Sequence, residues 1–441
     1  MNGSPVIGFA GLSHLGIVSS VAAAAKGFEV IAYDSDAVVC EQLRAAQPPV
    51  VEPELNDLMS RHAERLVFDS SANALESCEV VFLTLDVPVD VDGHSDLTAV
   101  CQLFEQVVQH VAQDTTIVLL SQIPPGFTRS LVSSTGTFDI SSDRLFCQVE
   151  TLIFGRAVER ALHPERFIIG CASAETALPD AYTKFLGSFD CPILPMRYES
   201  SELAKIAVNM FLVSSVTTTN TLAEVCEAVG AEWAEVVPAL RLDARIGSKA
   251  YLNPGLGIGG TNLLRDLVTI RGLAAEYDTH AEIVDTWLED SAYRRDWVCR
   301  LLEPELASRD DGLVAVWGLA YKVGTGSTKH SPGCALIESL GEVKVRAYDP
   351  KVSLGDVAPA NMFEASSSFE AVRGADVLAV MTPWPEFQVA ELETVMNVMR
   401  GRLILDPYGV LNGQRCRRLG FVYRRLGTPA ASASEVHAAS V

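Results

Sequence analysis

Basic residues are scarce in this chain: 34 Lys and Arg stand against 56 Asp and Glu, a formal net charge of −22 at pH 7. Such a field repels phosphate backbones and anionic lipid, so neither nucleic acid nor a membrane is the expected partner. An anionic small ligand needs a few Lys and Arg to converge on it locally. The ten cysteines include no C-x-x-C pair and the eight histidines no H-x-x-x-H, so no metal site or disulfide framework is expected. A reducing cytoplasm fits that cysteine usage best. Charged side chains are also missing from the N-terminus to Ala25. That run lacks a basic n-region and is punctuated by Gly8, Gly11 and Gly16, so it reads as a buried strand and helix instead of an export signal. No tandem repeat recurs at a solenoid period. What is present, 441 residues with 48% hydrophobic and 20% charged, describes an ordinary globular protein of roughly two to four domains.

Short β-branched runs alternate with helical patterns through about residue 170: PVIGFAG, EVIAYD, EVVFLTL, TTIVLLS, RLFCQVE and RFIIG. This alternation predicts a parallel sheet built from βαβ units. From Tyr198 to Val229 a nearly breaker-free segment with apolar residues at helical spacing, stopped by Gly230, predicts one long connecting helix. The Gly- and Pro-rich stretch NPGLGIGGTN interrupts the helical pattern, which resumes to about Glu303. Strands return in GLVAVWGLA, KVRAYDP, ADVLAVMTP and RLILDPY. The expected architecture is α/β, with two Rossmann-like doubly wound domains joined by a long central helix and a helical dimerisation region. The boundaries are 1–197 for a dinucleotide-binding domain, 198–303 for the helical region, 311–426 for the second α/β domain, and 427–441 for a small, polar, disordered tail. Two α/β halves around a helix suggest a coarse pseudo-repeat.

The first strand runs into Gly11-Leu12-Ser13-His14-Leu15-Gly16 and then a helical pattern, and Asp34 closes the second strand 23 residues after Gly11. This is the dinucleotide fingerprint with one fault, Ser13 in place of the second glycine. Asp34 suits the ribose 2′-hydroxyl of NAD and repels the 2′-phosphate of NADP. A second match, Gly255 to Gly260, follows Asn253-Pro254, which breaks any strand feeding it. It is read either as a loop whose backbone amides approach a ligand, ahead of a helix from about Thr261, or as a tight interdomain turn.

With these pieces in one order, the chain resembles the UDP-glucose/GDP-mannose dehydrogenase family over nearly its whole length. The matching segments are GLSHLG with Asp34, VVEPEL, Asp86-Val87-Pro88, SQIPPG, VETLIFGRA, SELAKIAVN, LDARIG, GLGIGGTNLLRD, GLAYKVGTGSTKHSP, AYDP and TPWPEF. The resemblance implies an N-terminal NAD domain, a central dimerising region, and a C-terminal domain for the nucleotide part of an activated sugar. It places cofactor contacts at Gly11, Ser13, His14, Leu15, Gly16, Asp34, Val87, Pro88, Ser121, Gln122 and Lys329. Substrate contacts fall at Arg245, which in the family reaches a neighbouring subunit's substrate, and at Tyr251, Gly257, Gly259, Gly260, Arg265, Tyr321, Lys322 and Tyr408. The family's active-site lysine, asparagine, aspartate and glutamate correspond to Lys205, Asn209, Asp266 and Glu150. Three of them also have a plainer reading: Lys205 as a surface lysine, Glu150 and Asp266 as caps or arginine partners.

Family chemistry is a double oxidation of a primary alcohol by two NAD through a cysteine-bound thiohemiacetal and thioester. Here the cysteine's position holds Asn262, whose amide cannot serve as that nucleophile. Asn262 is read either as a hydrogen-bonding reader of the sugar or as a helix N-cap. Further departures cluster with it, Phe154 for a second glutamate, Arg265 for a lysine and Gln122 for a threonine; toward the C-terminus, Lys329 and Tyr408 stand for arginines. The expected activity is a two-electron, NAD-dependent oxidation of a nucleotide sugar to an aldehyde or ketone. Lys205 with Asp266 takes the proton, and Asn209 or Asn262 holds the carbonyl oxygen. Epimerisation or dehydration by transient oxidation on tightly bound NAD is the alternative, and catalytically silent binding the third reading.

Overall fold

The computed structural model describes residues 3–90, 93–133, 140–260, 262–307, 311–355 and 358–429. The chain divides into two compact units, Met1–Val208 and Asn209–Val441. The division falls inside the long helix, which spans Tyr198–Val229 as the sequence pattern predicts.

The first unit holds eight strands: β1 Val6–Ala10, β2 Glu29–Tyr33, β3 Leu66–Asp69, β4 Val80–Leu83, β5 Thr116–Leu119, β6 Leu145–Gln148, β7 Phe167–Cys171 and β8 Ile193–Arg197. Their order is β3-β2-β1-β4-β5-β6-β7-β8. The first six positions are the doubly wound arrangement, whose order reverses at β1/β4 and leaves a crevice at the strands' carboxyl ends. Strands β4 and β5 are buried at every residue, which is why they read as unbroken apolar runs. The expected parallel sheet is corrected at one place: β7 pairs antiparallel with β6, through Cys147–Gly170 and Gln148–Ile169.

The second unit repeats the winding in six parallel strands: β9 Leu313–Trp317, β10 Lys344–Tyr348, β11 Met362–Glu364, β12 Val377–Val380, β13 Leu403–Leu405 and β14 Val422–Arg424. Their order is β11-β10-β9-β12-β13-β14, the first sheet's pattern again. Even the first turn is alike. Gly318 has φ +106°, a Cβ on Gly333 would lie 2.5 Å from the Gly318 carbonyl oxygen, and Asp349 accepts from the Leu319 and Ala320 amides at 2.7 and 2.9 Å. The Trp384 indole also donates to Asp349 at 3.0 Å, so the AYDP and TPWPEF segments meet on one carboxylate.

Four strands escape the sequence pattern, β3, β8, β11 and β14, and all four are sheet edges. An edge strand buries only part of its length, as the mixed burial of LVFD and ILPMR shows, so it carries no continuous apolar run. The proposed tail is also corrected at its start. Gly427 donates to Glu227 at 2.7 Å and accepts from the Trp233 amide at 2.9 Å, while Thr428 bonds Glu232 at 2.8 Å. Residues 430–441 of that tail lie outside the described residues.

Among the described residues, Tyr198–Val229 is the one helix long and apolar enough, by length and composition, to cross a membrane. Its buried Glu202 is nonetheless bound within the first unit, accepting from Gly126 N at 2.6 Å, Thr128 N at 2.9 Å and Thr128 Oγ1 at 2.6 Å. Those three bonds offset the desolvation that pushes the Glu202 carboxyl up, and they anchor the helix turn that carries Lys205.

Candidate active site

The fingerprint is shaped by two glycines. Gly11 sits at φ +89°, and a Cβ there would meet Leu85 Cγ at 2.7 Å. A Cβ on Gly16 would lie 2.1 Å from the Gly11 carbonyl oxygen, so only glycine lets helix His14–Ala25 pack this close to β1. Ser13 has an ordinary extended backbone, φ −68° and ψ −178°, and its hydroxyl donates to the Thr84 carbonyl at 2.6 Å. The serine that looked like a fault therefore needs no glycine conformation.

His14 and Leu15 open a helix with no acidic residue in its first turn, a helix end suited to a pyrophosphate. Asp34 accepts from Leu12 N at 2.6 Å and Asp36 N at 2.9 Å. Two bonds leave lone pairs on the carboxylate for ribose hydroxyls. The glycine cradle, helix terminus and acid together fit a dinucleotide. Val87 is buried and Pro88 exposed just beyond β4, and Ser121, buried beyond β5, donates to Leu83 O at 3.4 Å.

The structure gathers Lys205, Glu150, Ser121 and Gln122 around a small cavity of about 20 Å³ in the first unit. Lys205 Nζ donates to the Glu150 carbonyl at 2.8 Å and lies 3.8 Å from Glu150 Oε2. Lys205 is therefore a half-buried, positioned amine and not a free surface lysine. Burial pushes the Glu150 carboxyl above its ordinary range; the Lys205 charge draws it back and Asp86 pushes it further. Glu150 also accepts from the Leu152 amide.

In the second unit a different pair forms. Asn209 Nδ2 donates to Asp266 Oδ2 at 2.6 Å, and Asp266, 2% exposed, has Arg265 Nε 3.6 Å from its other oxygen. Asn209 lies one turn beyond Lys205 on the long helix. Asn262 is the first residue of helix Asn262–Glu276, and its Oδ1 accepts from Arg265 at 3.5 Å. Asn262 is therefore the first helical residue and not the cap before the helix; Thr261 lies outside the described residues.

The second glycine loop packs against its own unit. Gly257 and Gly260 take φ of +74° and +78°, and Cβ atoms there would meet the Ser291 carbonyl at 2.4 Å and the Tyr321 ring at 2.8 Å. Gly259 faces the same ring at 3.5 Å. Tyr408 shares a hydrogen bond with the Leu256 backbone, and burial raises its hydroxyl pKa. Lys322 Nζ stands 5.5 Å from the Tyr321 ring centroid.

Three sequence-derived residues stand apart from these clusters. Arg245 is 88% exposed at its side chain and forked on Asp243. Tyr251 is half exposed, with its carbonyl accepting from Ser215 and Thr219, and Lys329 is exposed. A cavity of about 360 Å³ in the second unit is lined by Leu256 and Ile258 of the second glycine loop, by Thr328 and His330 of the STKHSP segment and by Ser291 and Arg295, but by none of the residues given a cofactor, substrate or catalytic role above. Sequence reasoning missed Glu52 and Glu202. Both lie in segments it had quoted, but periodicity assigns an acid to the surface, and only the fold reveals the donors gathered on each.

Comparison with known proteins supplies the class. Three profiles of one family match in order: its NAD binding domain over residues 6–186, its central domain over 199–290, and its UDP binding domain over 315–413. A UDP-glucose 6-dehydrogenase of Pseudomonas aeruginosa is 29% identical, with 97% of this chain and 99% of that one aligned. One of Rickettsia conorii is 27% identical, at 96% and 99% coverage. The structure of a UDP-glucose dehydrogenase from Pyrobaculum islandicum superposes with a TM-score of 0.81 at 26% identity, covering 93% of this chain and 96% of that one. A UDP-D-ManNAc dehydrogenase from Pyrococcus horikoshii shares the fold at the same TM-score and 23% identity, over 96% and 99% of the two chains. Matched from its first strand to its last sheet, the chain belongs to the UDP-glucose/GDP-mannose dehydrogenase family of NAD-dependent enzymes that act on the CH–OH groups of nucleotide sugars.

Proposed function

We propose that the protein oxidises one hydroxyl of a nucleotide-activated sugar to a carbonyl and stops there, without a thioester. The observation that carries this is Asn262, which heads helix Asn262–Glu276 where the family resemblance places the nucleophilic cysteine. Cys147, which lines the cavity beside Lys205, is no replacement: burial pushes its thiol up to about 12, and the thiolate is the reactive form. Bound NAD would supply the hydride acceptor, held by the Gly11–Gly16 turn, the helix that follows it, and Asp34. Lys205 holds the position from which an amine takes the carbinol proton, and Glu150, tied to it, sets its surroundings. Asn209, Asp266 and Asn262 orient the oxygen as the carbonyl forms.

NADH counting by absorbance, with mass spectrometry of the product, tests the reading on nucleotide sugars first selected by thermal shift. One NADH and an aldehyde or ketone per substrate support it. Two NADH and a carboxylate overturn it, and zero net NADH with an isomerised sugar points to transient oxidation instead.

Asp34 sets the cofactor choice in this reading. Calorimetric titration should give NAD at least about tenfold tighter binding than NADP, since the carboxylate repels a 2′-phosphate. Equal affinities would remove that role from Asp34.

The domain assignment of 1–197 to NAD, 198–303 to dimerisation and 311–426 to the nucleotide sugar is part of the proposal, supported by the family matches that fall within each span. The long helix exposes Leu203, Val208, Phe211, Leu222, Val225 and Val229, with Phe211 at 79%. A second copy of the chain is the proposed cover. Sedimentation should show a dimer at micromolar concentration and charged substitution of Phe211 should dissociate it; a wild-type monomer would remove this interface and the role proposed for Arg245.

A further inference from the structure

Glu52 belongs to the VVEPEL segment and has no catalytic or binding role in the reading above. Its side chain is 0% exposed and makes three bonds to two remote stretches of chain. Oε1 lies 2.8 Å from His14 Nε2 and accepts from Gly155 N at 2.9 Å; Oε2 accepts from Ala157 N at 3.1 Å. His14 is the first residue of the helix that leaves the glycine turn. Gly155 and Ala157 close the loop that begins at Glu150, whose carbonyl holds Lys205. The Phe154 ring lies over the His14 imidazole, with centroids 4.3 Å apart. One buried carboxylate thus joins the dinucleotide turn to the loop that positions the candidate base.

A carboxylate removed from water depends on its donors, and losing any of the three leaves charge under-compensated. His14, Gly155 and Ala157 are therefore held as one unit. An ionised Glu52 can only accept, so the imidazole proton must reside on Nε2. We propose that Glu52 is a positioning residue that transmits occupancy of the dinucleotide turn, through His14, to the 150–157 loop. A ligand that orders residues 11–16 restrains His14, and His14 in turn restrains the carboxylate on which the loop amides hang. The proposal rests on the reading of the Gly11–Gly16 turn as the NAD site.

Hydrogen exchange of the full chain, with and without NAD, tests this independently of turnover. NAD should slow exchange of the Thr151–Ala157 peptide by about fivefold or more in the wild type, the low end of ordinary coupling energies. In Glu52→Gln that protection should vanish while calorimetry still detects NAD binding. His14→Phe keeps a ring for Phe154 but removes the donor, and at NAD concentrations that calorimetry shows to saturate this variant the Thr151–Ala157 protection should vanish as in Glu52→Gln. His14→Gln restores a side-chain N–H and should recover more of the NAD-dependent protection than His14→Phe. This ordering is the reverse of what simple packing gives, and it carries the test should Glu52→Gln fail to fold. NAD-dependent protection unchanged in Glu52→Gln and His14→Phe, or absent from a wild-type protein that binds NAD, overturns the proposal. A wild-type chain that binds no NAD overturns the cofactor reading itself, which calorimetry separates from loss of coupling.

Discussion

Lys205→Ala is expected to lower kcat by about 10² to 10⁴, the usual worth of a positioned acid/base, with a much smaller change in KM. The expectation follows from how the amine is held: 2.8 Å from the Glu150 carbonyl, on a helix turn fixed by the three bonds to Glu202. Lys205→Met, which keeps most of the side chain's bulk, should fall equally; retained turnover in Met but not Ala would mean that packing and not the amine matters. A pH signature accompanies the rate. The Glu150 carboxyl is raised by burial and lowered again by Lys205, so the acid limb of the kcat/KM profile should lie above the ordinary carboxylate range in the wild type. Removing Lys205 deletes the lowering influence, and the limb should move to higher pH. The sign for stability is opposite to that of a salt-bridged carboxylate. The folded protein keeps this proton to higher pH than the unfolded chain, so Glu150's contribution is most favourable below the ordinary carboxylate pKa and declines as pH rises through the folded value. A limb that stays fixed in Lys205→Ala would separate Glu150 from the rate.

Gly16→Ala should be the most damaging single methyl in the first unit. Its Cβ would fall 2.1 Å from the Gly11 carbonyl oxygen and 2.5 Å from Thr84 Oγ1, which itself bonds Gly11 O at 2.6 Å. Backbone oxygen cannot rotate aside, so either the helix lifts or the turn opens. Overpacking of this kind costs about 1–3 kcal/mol in stability. Displacing Gly11 removes the cradle as well, and each 1.4 kcal/mol lost there weakens NAD about tenfold. Ser13→Gly is the informative contrast. Its backbone is ordinary for any residue, so the change forfeits only the hydroxyl bond to Thr84, about 1 kcal/mol, and NAD binding should survive. Calorimetric NAD affinity and thermal melting of the two variants check both statements. A Gly16→Ala protein that binds NAD like the wild type would show that the close approach of helix and strand is not needed.

The sequence by itself determined those features whose cause is local or periodic. Parallel strands buried on both faces are apolar at nearly every position, so the central strands of both sheets were legible, as were the long helix and its glycine stop. A turn that requires positive φ requires glycine, so Gly11 was readable, and Asp34 at the end of β2 followed from the same unit. Edge strands were not legible, because half-exposed residues carry no unbroken hydrophobic signal. Nor were the carboxylates that hold the site together. Glu52 reaches Gly155 across 103 residues and Glu202 reaches Gly126 across 76; Asn209 and Asp266 were named from their motifs, but the bond that joins them across 57 residues was not. Composition and spacing treat a buried and an exposed glutamate alike. Only the tertiary structure decides which one is stripped of water, because the amides, imidazole and hydroxyls that replace its hydration come from segments brought together by folding.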